Sequence, residues 1–549
     1  MDQAAVPAVF NYQPIPAAVG GYYSQSKQPP SNGTTFTAGQ WIQLPIVTGR
    51  IGQFYDPQRC YFMFRVGMAT AQGLMLERVG AHAFFESVEL WLNGQPLEQI
   101  QQYNCLMQLI RDQYYGLGRA DVCADVEGCA REGQLCTATS SAGTVAIVTR
   151  GNMSWGVTRT TGGAGGVIAG ATAAIDSGTA VVTAGTPNTP SPREVSPNAI
   201  CPGTGVYGYR WFAVPILSGL LGTLAAKAFP ALVFAPGSLF WQIKLAQPAA
   251  PGTRVTWAAT TGIYSGFTFT TYAAADAWTI DNFNFVSGAV TLQSGVAATI
   301  LSAAASGQLD LNTKSFTNVY ASLAASSSAA NIIVPLRKLS LNSIFVTFRD
   351  PNRETASGGN ATYGGFLGRI APTGCLAETF TAQWRFGNEL IREYPYQQSV
   401  EFYVEVLRNL HEWMDKELNF CTALMPLRDA QPIAGATYVN GQGVTVYNPV
   451  GGFYAAYADA GGNTVSCDKP SQLLQNCGYF LALDLDVFSG SSSTSRSGRN
   501  TTGDQITLNL ANGTTTSGMF GTRSMRVDFF GMHDLRVNIQ AGGVAVPVS

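Results

Sequence analysis

The stretch Trp211–Pro236, WFAVPILSGLLGTLAAKAFPALVFAP, decides how the chain is to be read. Its one charge is Lys227, and it is long enough to cross a bilayer, for which about 20 apolar residues suffice. Pro215 and Pro230 interrupt it, however, and Ser218-Gly219 and Gly222 place turn signals between them. Read locally, WFAVPIL is an apolar run of strand length, SGLLGTLAAKA is a turn or at most a short helix, and FPALVFAP is a second short run. Beyond Gly237, Leu239, Trp241, Ile243 and Leu245 alternate with Phe240, Gln242 and Lys244, the period-two pattern of a strand with a polar face. The stretch therefore reads as strands and turns of a protein core and not as an anchor.

The same grammar recurs on both sides of it. In TFTAGQWIQLPIVTGR, Ile42, Leu44 and Ile46 share one face, and CYFMFRVGM is a second strand. SVELWLNGQPLEQI alternates up to Asn93-Gly94, a pair that favours a tight hairpin because both residues tolerate positive φ. QQYNCLMQLIRD then repeats apolar residues at helical spacing. Far downstream, SLNSIFVTFRDP is a strand, AQWRFGNELIREYP is a hairpin turning at Gly387-Asn388, and SVEFYVEVLRNLHEWMDKE is an amphipathic helix capped by Ser399. Strand, hairpin and helix thus appear twice in the same order, 294 positions apart from Asn93 to Gly387. YRWFAVPIL and CGYFLALDLDVF follow as apolar strands, and each half closes on a long alternating run, SLFWQIKLA and SMRVDFFGMHDLRVNI.

This pattern predicts an all-β protein of two tandem sandwich or barrel domains with short helices and a large loop insertion, and the single helix after the early hairpin suits a jelly roll better than an immunoglobulin-type sandwich. The expected boundaries are an extended, proline-rich arm over 1–34, a first roll over 35–303 with the insertion at about 116–205, and a second roll over 304–549. The Ala/Ser-rich stretch Ser294–Ser306 is the candidate link, and TVAIVTR and TAVVTAG are candidate strands within the insertion.

Composition narrows the function. The 549 residues are 46% hydrophobic but only 12% charged, about half the charge usual in soluble proteins, which suits a chain that hides much of its surface against neighbours. Thirty-two basic against 34 acidic residues leave no field to attract a polyanion, so direct sequence-specific nucleic-acid binding is not expected. The ten cysteines form no C-x-x-C pair, and with three histidines no metal site is expected. Cys123, Cys129 and Cys136 are close enough in sequence to pair in an oxidising setting, with buried free thiols as the blander alternative. The N-terminal MDQAAVPAVFNYQPIPAAVGG has neither a basic n-region nor an uninterrupted apolar core, so it does not read as a secretory signal.

Catalytic signatures are not found: no Gly-Lys of a P-loop, no G-x-S-x-G elbow and no H-E-x-x-H helix. His82 and His411 read as packing or surface residues, and His533 and Asp534 as neighbours on a strand that point to opposite faces. Asp484 and Asp486 could share a strand face as a glycosidase pair would, but no second acid is evident. No catalytic residue, cofactor or metal is therefore assigned. Sequons at Asn32, Asn152, Asn360, Asn500 and Asn512 are candidate glycosylation sites.

FTAGQWIQLPIVTGRIGQFYDPQRCYFMFRV and VELWLNGQPLEQIQQYNCLMQLIRD resemble the first roll of double jelly-roll major capsid proteins of eukaryotic dsDNA viruses, among them polinton-like viruses, virophages and nucleocytoplasmic large DNA viruses. FAVPILSGLLGTLAAKAFPAL is similar to that roll's middle strand and turn, and WTIDNFNFVSGAVTL to its closing strand. IIVPLRKLSLNSIFVTFRD, QWRFGNELIREYPYQQSVEFYVEVL, FLALDLDVFSG with SGRNTTGDQITLNL, and RVDFFGMHDLRVNI resemble the second roll. The resemblance implies a fold of two tandem eight-stranded jelly rolls with short helices and a large loop insertion, and a major capsid protein, assembled inside the host cell, whose homotrimers are pseudo-hexameric capsomers of an icosahedral virion. Implied partners are neighbouring capsomers, penton and minor or cement proteins, and an inner membrane contacted by the N-terminal arm. The alternative is a secreted or cell-surface β-sandwich adhesin or carbohydrate-binding protein.

Overall fold

The structure is a computed structural model. It describes residues 21–114, 209–349, 379–397 and 480–548 with short internal gaps, and only separate pieces of 126–200 and 351–466.

Sixteen strands form two sandwiches. The first contains β1 (Gly21–Gln28), β2 (Trp41–Pro45), β3 (Tyr61–Met68), β4 (Phe85–Leu92), β5 (Gln95–Gln101), β6 (Tyr209–Pro215), β7 (Leu239–Leu245) and β8 (Trp278–Leu292). They pair as β1-β8-β3-β6 and β2-β7-β4-β5, with short strands Thr35–Thr37 and Gln53–Tyr55 also on β8. The second contains β9 (Leu309–Leu323), β10 (Ala329–Val334), β11 (Leu341–Arg349), β12 (Phe380–Phe386), β13 (Glu389–Leu390), β14 (Leu481–Asp484), β15 (Ile506–Asn512) and β16 (Met525–Gln540). Its sheets are β9-β16-β11-β14 and β10-β15-β12-β13, with Val544–Val548 added to β16. Adding eight to each label turns the first topology into the second. Each set of eight antiparallel strands, wound so that first pairs with last, is a jelly roll.

The alternation read from the sequence is what fills each sandwich. In β7, Leu239, Trp241, Ile243 and Leu245 are buried, while Phe240, Gln242 and Lys244 are half-buried. Trp241 meets Phe62 edge-on, and Phe62, Phe64, Phe85 and Phe283 pack around one another with ring centroids 5.2–6.0 Å apart, the spacing aromatic pairs favour. The β4–β5 hairpin turns at Asn93 and Gly94, both at positive φ (50° and 81°), and Gly387 repeats this at 56° between β12 and β13.

Two expectations change. Residues 21–28, expected in the arm, form β1, paired along its whole length with β8; its side chains are exposed on both faces up to Lys27, which erases the alternation that marks a strand. SLFWQIKLA and the last strand are not equivalent: β7 corresponds to β15, and the partner of the closing β16 is β8. The Ala/Ser-rich stretch read as the link between the rolls forms a helix, α2 (Ser294–Ala305), which joins β8 to β9. The earlier helix, α1 (Tyr103–Tyr114), follows β5 as the spacing predicts, whereas the helix expected after Ser399 lies outside the described residues apart from Glu401.

The connections 69–84, 102–208 and 246–277 all leave the same end of the first sandwich, because antiparallel strands return the chain there at every second link. Pieces of these loops make one sheet, Ala199–Ile200, Gln72–Leu76, Gly252–Thr260 and Ile263–Phe269. The insertion hairpin Leu135–Ser140/Gly143–Thr149 joins a second sheet with strands from the equivalent excursion of the second roll, Val465 pairing with Ala138.

Candidate assembly site

The two rolls are welded by a seam, and the opening stretch of sequence forms part of it. β6 leads into a turn over 216–225 that lies against β9 of the second roll. Gly219 is required there: a Cβ on it would sit 2.2 Å from the Lys314 carbonyl oxygen. Thr313 donates its hydroxyl to the Gly219 carbonyl at 2.6 Å. Beside it, Glu98 of β5 is buried and gathers three donors from two elements, the turn and β9. The Gly219 amide donates to Oε1 at 2.9 Å, Ser315 of β9 donates to the same oxygen at 2.6 Å, and Ser218 donates to Oε2. Burial pushes the Glu98 carboxyl above its usual range, and these donors oppose that shift.

At the other end of β5 the seam is closed by a buried ion pair. Arg349, the last residue of β11, donates to Asp528 of β16 at 2.8 Å and, through Nη2, to the Gln102 side-chain oxygen of the first roll at 3.0 Å. Arg526 donates to the other Asp528 oxygen at 3.0 Å. Between these polar ends the seam is apolar. Phe345, Phe480, Ala482, Phe530 and Met532 belong to the same buried cluster as Leu97, Ile100 and Leu106 of the first roll. The alternate residues Ile344, Val346, Leu481, Leu483 and Phe529 fill the second sandwich. Within the β9-β16-β11-β14 sheet, β11 is thus covered on both faces, and every one of its residues is buried. A strand covered on both sides reads as a continuous apolar run, as SIFVTF does.

The other candidates from the sequence fall as follows. His82 lies in the 3₁₀ turn Gly80–Phe84, wholly buried against Arg111 and Glu127; burial and then Arg111 hold its pKa well below the usual value. His533 faces Thr317 at 2.9 Å and not the Asp534 carboxylate, and burial with Lys338 nearby depresses it to about 3. Asp534 is instead held by Ser340. Asp484 accepts the Asp486 amide at 3.0 Å while Asp486 accepts from Asn342 at 2.8 Å, so these acids brace a strand end. His411, Asn152, Asn360, Cys123 and Cys129 lie outside the described residues, and Cys136 sits in the Leu135–Ser140 strand. Asn32 uses its amide on the backbone of Trp41 and Gln43, Asn512 is buried and accepts from Thr379, and Asn500 is exposed, holding Thr502 of its own sequon. Among the described residues no group of three His, Cys, Asp or Glu side chains could hold a metal, and no helix is long and apolar enough to cross a membrane.

The seam residues Glu98, Gly219, Ser315, Arg349 and Asp528 were not singled out from the sequence. Their one signal was a charged residue set in an apolar strand, as with Arg349 after SIFVTF.

Two jelly rolls in one chain, joined side by side by a buried seam, define the architecture, and the same architecture is found among known structures. The chain is similar to the protein in a quasi-atomic model of the PBCV-1 virus capsid, with a TM-score of 0.51 and 10% identity over 98% of this chain and 99% of that one. Mavirus major capsid protein aligns with a TM-score of 0.47 and 9% identity over 99% and 95% of the two chains, and the Sputnik virophage structure with 0.48 and 10% over 98% and 91%. No family model and no curated sequence relative matches the chain.

Proposed function

We propose that this chain is a major capsid protein whose trimers act as six-cornered building blocks of an icosahedral shell. The observation that carries the reading is the duplication itself. Two equivalent rolls lie side by side in one chain, and β11 of the second roll is buried beneath the first. Repeating that head-to-tail contact between chains is a heterologous association, which closes into a ring when the rotation allows. With two rolls per chain, three chains make a ring of six similar corners, a shape that tiles a hexagonal lattice. The likeness in fold to the PBCV-1 capsid structure supports the same reading. So does the low charge, since a lattice subunit buries its flanks.

In this reading the protein works in the virion, and its role is structural. The loop sheets gathered at one end of the rolls are the outward tower, and the N-terminal arm read from the sequence is the segment offered to minor proteins or an inner membrane. Penton and cement proteins are the further partners. Asn500 is the candidate modification site best placed to accept a glycan, because it is exposed, whereas Asn512 is buried and Asn32, though exposed, donates its amide to the Trp41 carbonyl.

Electron microscopy of the purified, concentrated protein tests the proposal. Hexagonal arrays or shells of six-cornered particles with threefold averages are expected. A monodisperse monomer that forms no array and binds immobilised glycans would favour the surface-adhesin alternative instead.

A further inference from the structure

His82, the buried histidine of the Gly80–Phe84 turn, has no part in the assembly reading, yet it sits at the centre of a network that crosses four segments of the first roll. Its Nε2 lies 2.9 Å from Arg111 Nη2, on α1, and 3.3 Å from a Glu127 carboxylate oxygen, on the insertion. A guanidinium only donates, so Nε2 accepts, and the ring is neutral with its proton on Nδ1. That proton faces the Tyr103 hydroxyl oxygen, 3.4 Å away, which also accepts the Leu217 amide at 3.0 Å. Leu217 belongs to the turn that packs against the second roll. Arg111 closes the other side of the network as an ion pair with Glu127, their side chains 5% and 9% exposed.

This network pins the insertion to the roll at Val126–Gly128. Gly128, at φ 68°, is pressed so close that a Cβ on it would lie 2.8 Å from the Phe212 ring and 2.9 Å from the Leu76 side chain. Val126 is 47% exposed and His82 is 0% exposed, so lifting this short segment removes Glu127 and brings water to the ring. Of the other charged groups on elements next to the turn, Arg210 of β6 lies 5.0 Å from the Phe212 ring centre, and Glu86 of β4 pairs with Lys244 at 2.8 Å.

We propose that the His82–Arg111–Glu127 cluster is an acid-released latch that holds Val126–Gly128, and with it the insertion, against the first roll. A proton on Nε2 would point at the Arg111 guanidinium, and one carboxylate does not offset two cations in a site closed to water. Once the segment lifts, the ring takes its proton in solvent at its ordinary pKa of 6.5. In the closed state burial and then Arg111 keep the proton off, so the closed form has its full advantage above 6.5 and loses it as pH falls below that value. The open fraction then rises about 30-fold between about pH 7.5 and about pH 5. An ordinary glutamate, of pKa about 4.3, is still mostly ionised at about pH 5, so His82 carries the change. The latch belongs to the roll itself and holds whether or not chains assemble.

Hydrogen exchange of the full chain, read by mass spectrometry and corrected for the intrinsic effect of pH on exchange, tests the latch on peptides covering Gly80–Phe84 and Val126–Gly128. Wild-type protection is expected to fall about 30-fold from about pH 7.5 to about pH 5. His82→Gln, whose amide accepts from Arg111 and donates to Tyr103 but takes no proton, is expected to stay flat over the same range. Arg111→Met removes the opposing cation, so a protonated His82 pairs with Glu127 and protection rises on acidification. That sign decides the matter if His82→Gln is unprotected at both pH values. Wild-type protection that changes less than about threefold overturns the proposal, and so does either variant losing protection on acidification as the wild type does.

Discussion

Glu98→Ala removes a side chain that ties β5, the 216–225 turn and β9 together. The Gly219 amide, 2.9 Å from Glu98 Oε1, loses its acceptor in a place water does not reach, which costs about 1–3 kcal/mol. Ser218 and Ser315 each lose a bond to the carboxylate, but their hydroxyls can rotate, so about 1 kcal/mol apiece is a fair measure. Against these losses stands the relief of a buried carboxylate's desolvation, and the net expectation is a destabilisation of about 3 kcal/mol. Glu98→Gln keeps an acceptor for Gly219 and Ser315 and should cost about 1 kcal/mol. The assay is urea unfolding followed by tryptophan fluorescence, with both variants and wild type at several pH values. The pH series carries a sign. Because the folded-state carboxyl is held above its unfolded value of 4.5, the folded state binds the proton first, and the stability associated with Glu98 falls as pH rises through that window. Glu98→Gln removes this component. Glu98→Ala within 0.5 kcal/mol of wild type, or Glu98→Gln as damaging as Glu98→Ala, would refute the claim that this carboxylate locks the seam.

Further outcomes are open to direct measurement. Gly219→Ala places a methyl group against backbone, 2.2 Å from the Lys314 carbonyl oxygen, and should separate the rolls more severely than Glu98→Gln, with an added low-urea transition and faster proteolysis at the 216–225 turn. Asp528→Ala leaves Arg349 buried without its counter-charge and should cost about 3–5 kcal/mol, with Arg349→Met/Asp528→Leu recovering much of the loss; a fully additive double variant would contradict this. His533, depressed to about 3 in the folded protein against 6.5 unfolded, contributes stability that is complete above 6.5 and is lost as pH falls toward 3. His533→Gln should flatten the fall in urea midpoint over that range, as followed by the same fluorescence assay. Trp241→Ala, at the aromatic centre of the first roll, should lower stability by about 3–5 kcal/mol in the same experiment.

Where one face of a strand is wet and the other dry, the sequence was legible. The alternation in β7 and the Asn93-Gly94 turn each depend on neighbours close in the chain, and their physics is local. The run SIFVTF was also readable as a strand, but not the reason for its unbroken apolarity, which is that the first roll covers its second face. β1 escaped notice for the opposite reason: GYYSQSKQ has both faces exposed and so carries no period, and its place is fixed by pairing with β8, more than 250 residues away. β7 and β16 look alike in sequence because both alternate, and only their partners distinguish them. Glu98 within PLEQI resembles any solvated glutamate. Its burial becomes apparent only when the 216–225 turn and β9 are brought to it, and no local pattern records that meeting.

The central claim concerns how many corners the particle has, and the most direct measurement is the native mass of the purified full chain by light scattering across a range of concentrations. The account predicts a species at three times 58.2 kDa, about 175 kDa, stable to dilution as a closed ring should be. A monomer throughout, or a dimer with twofold symmetry, would contradict it.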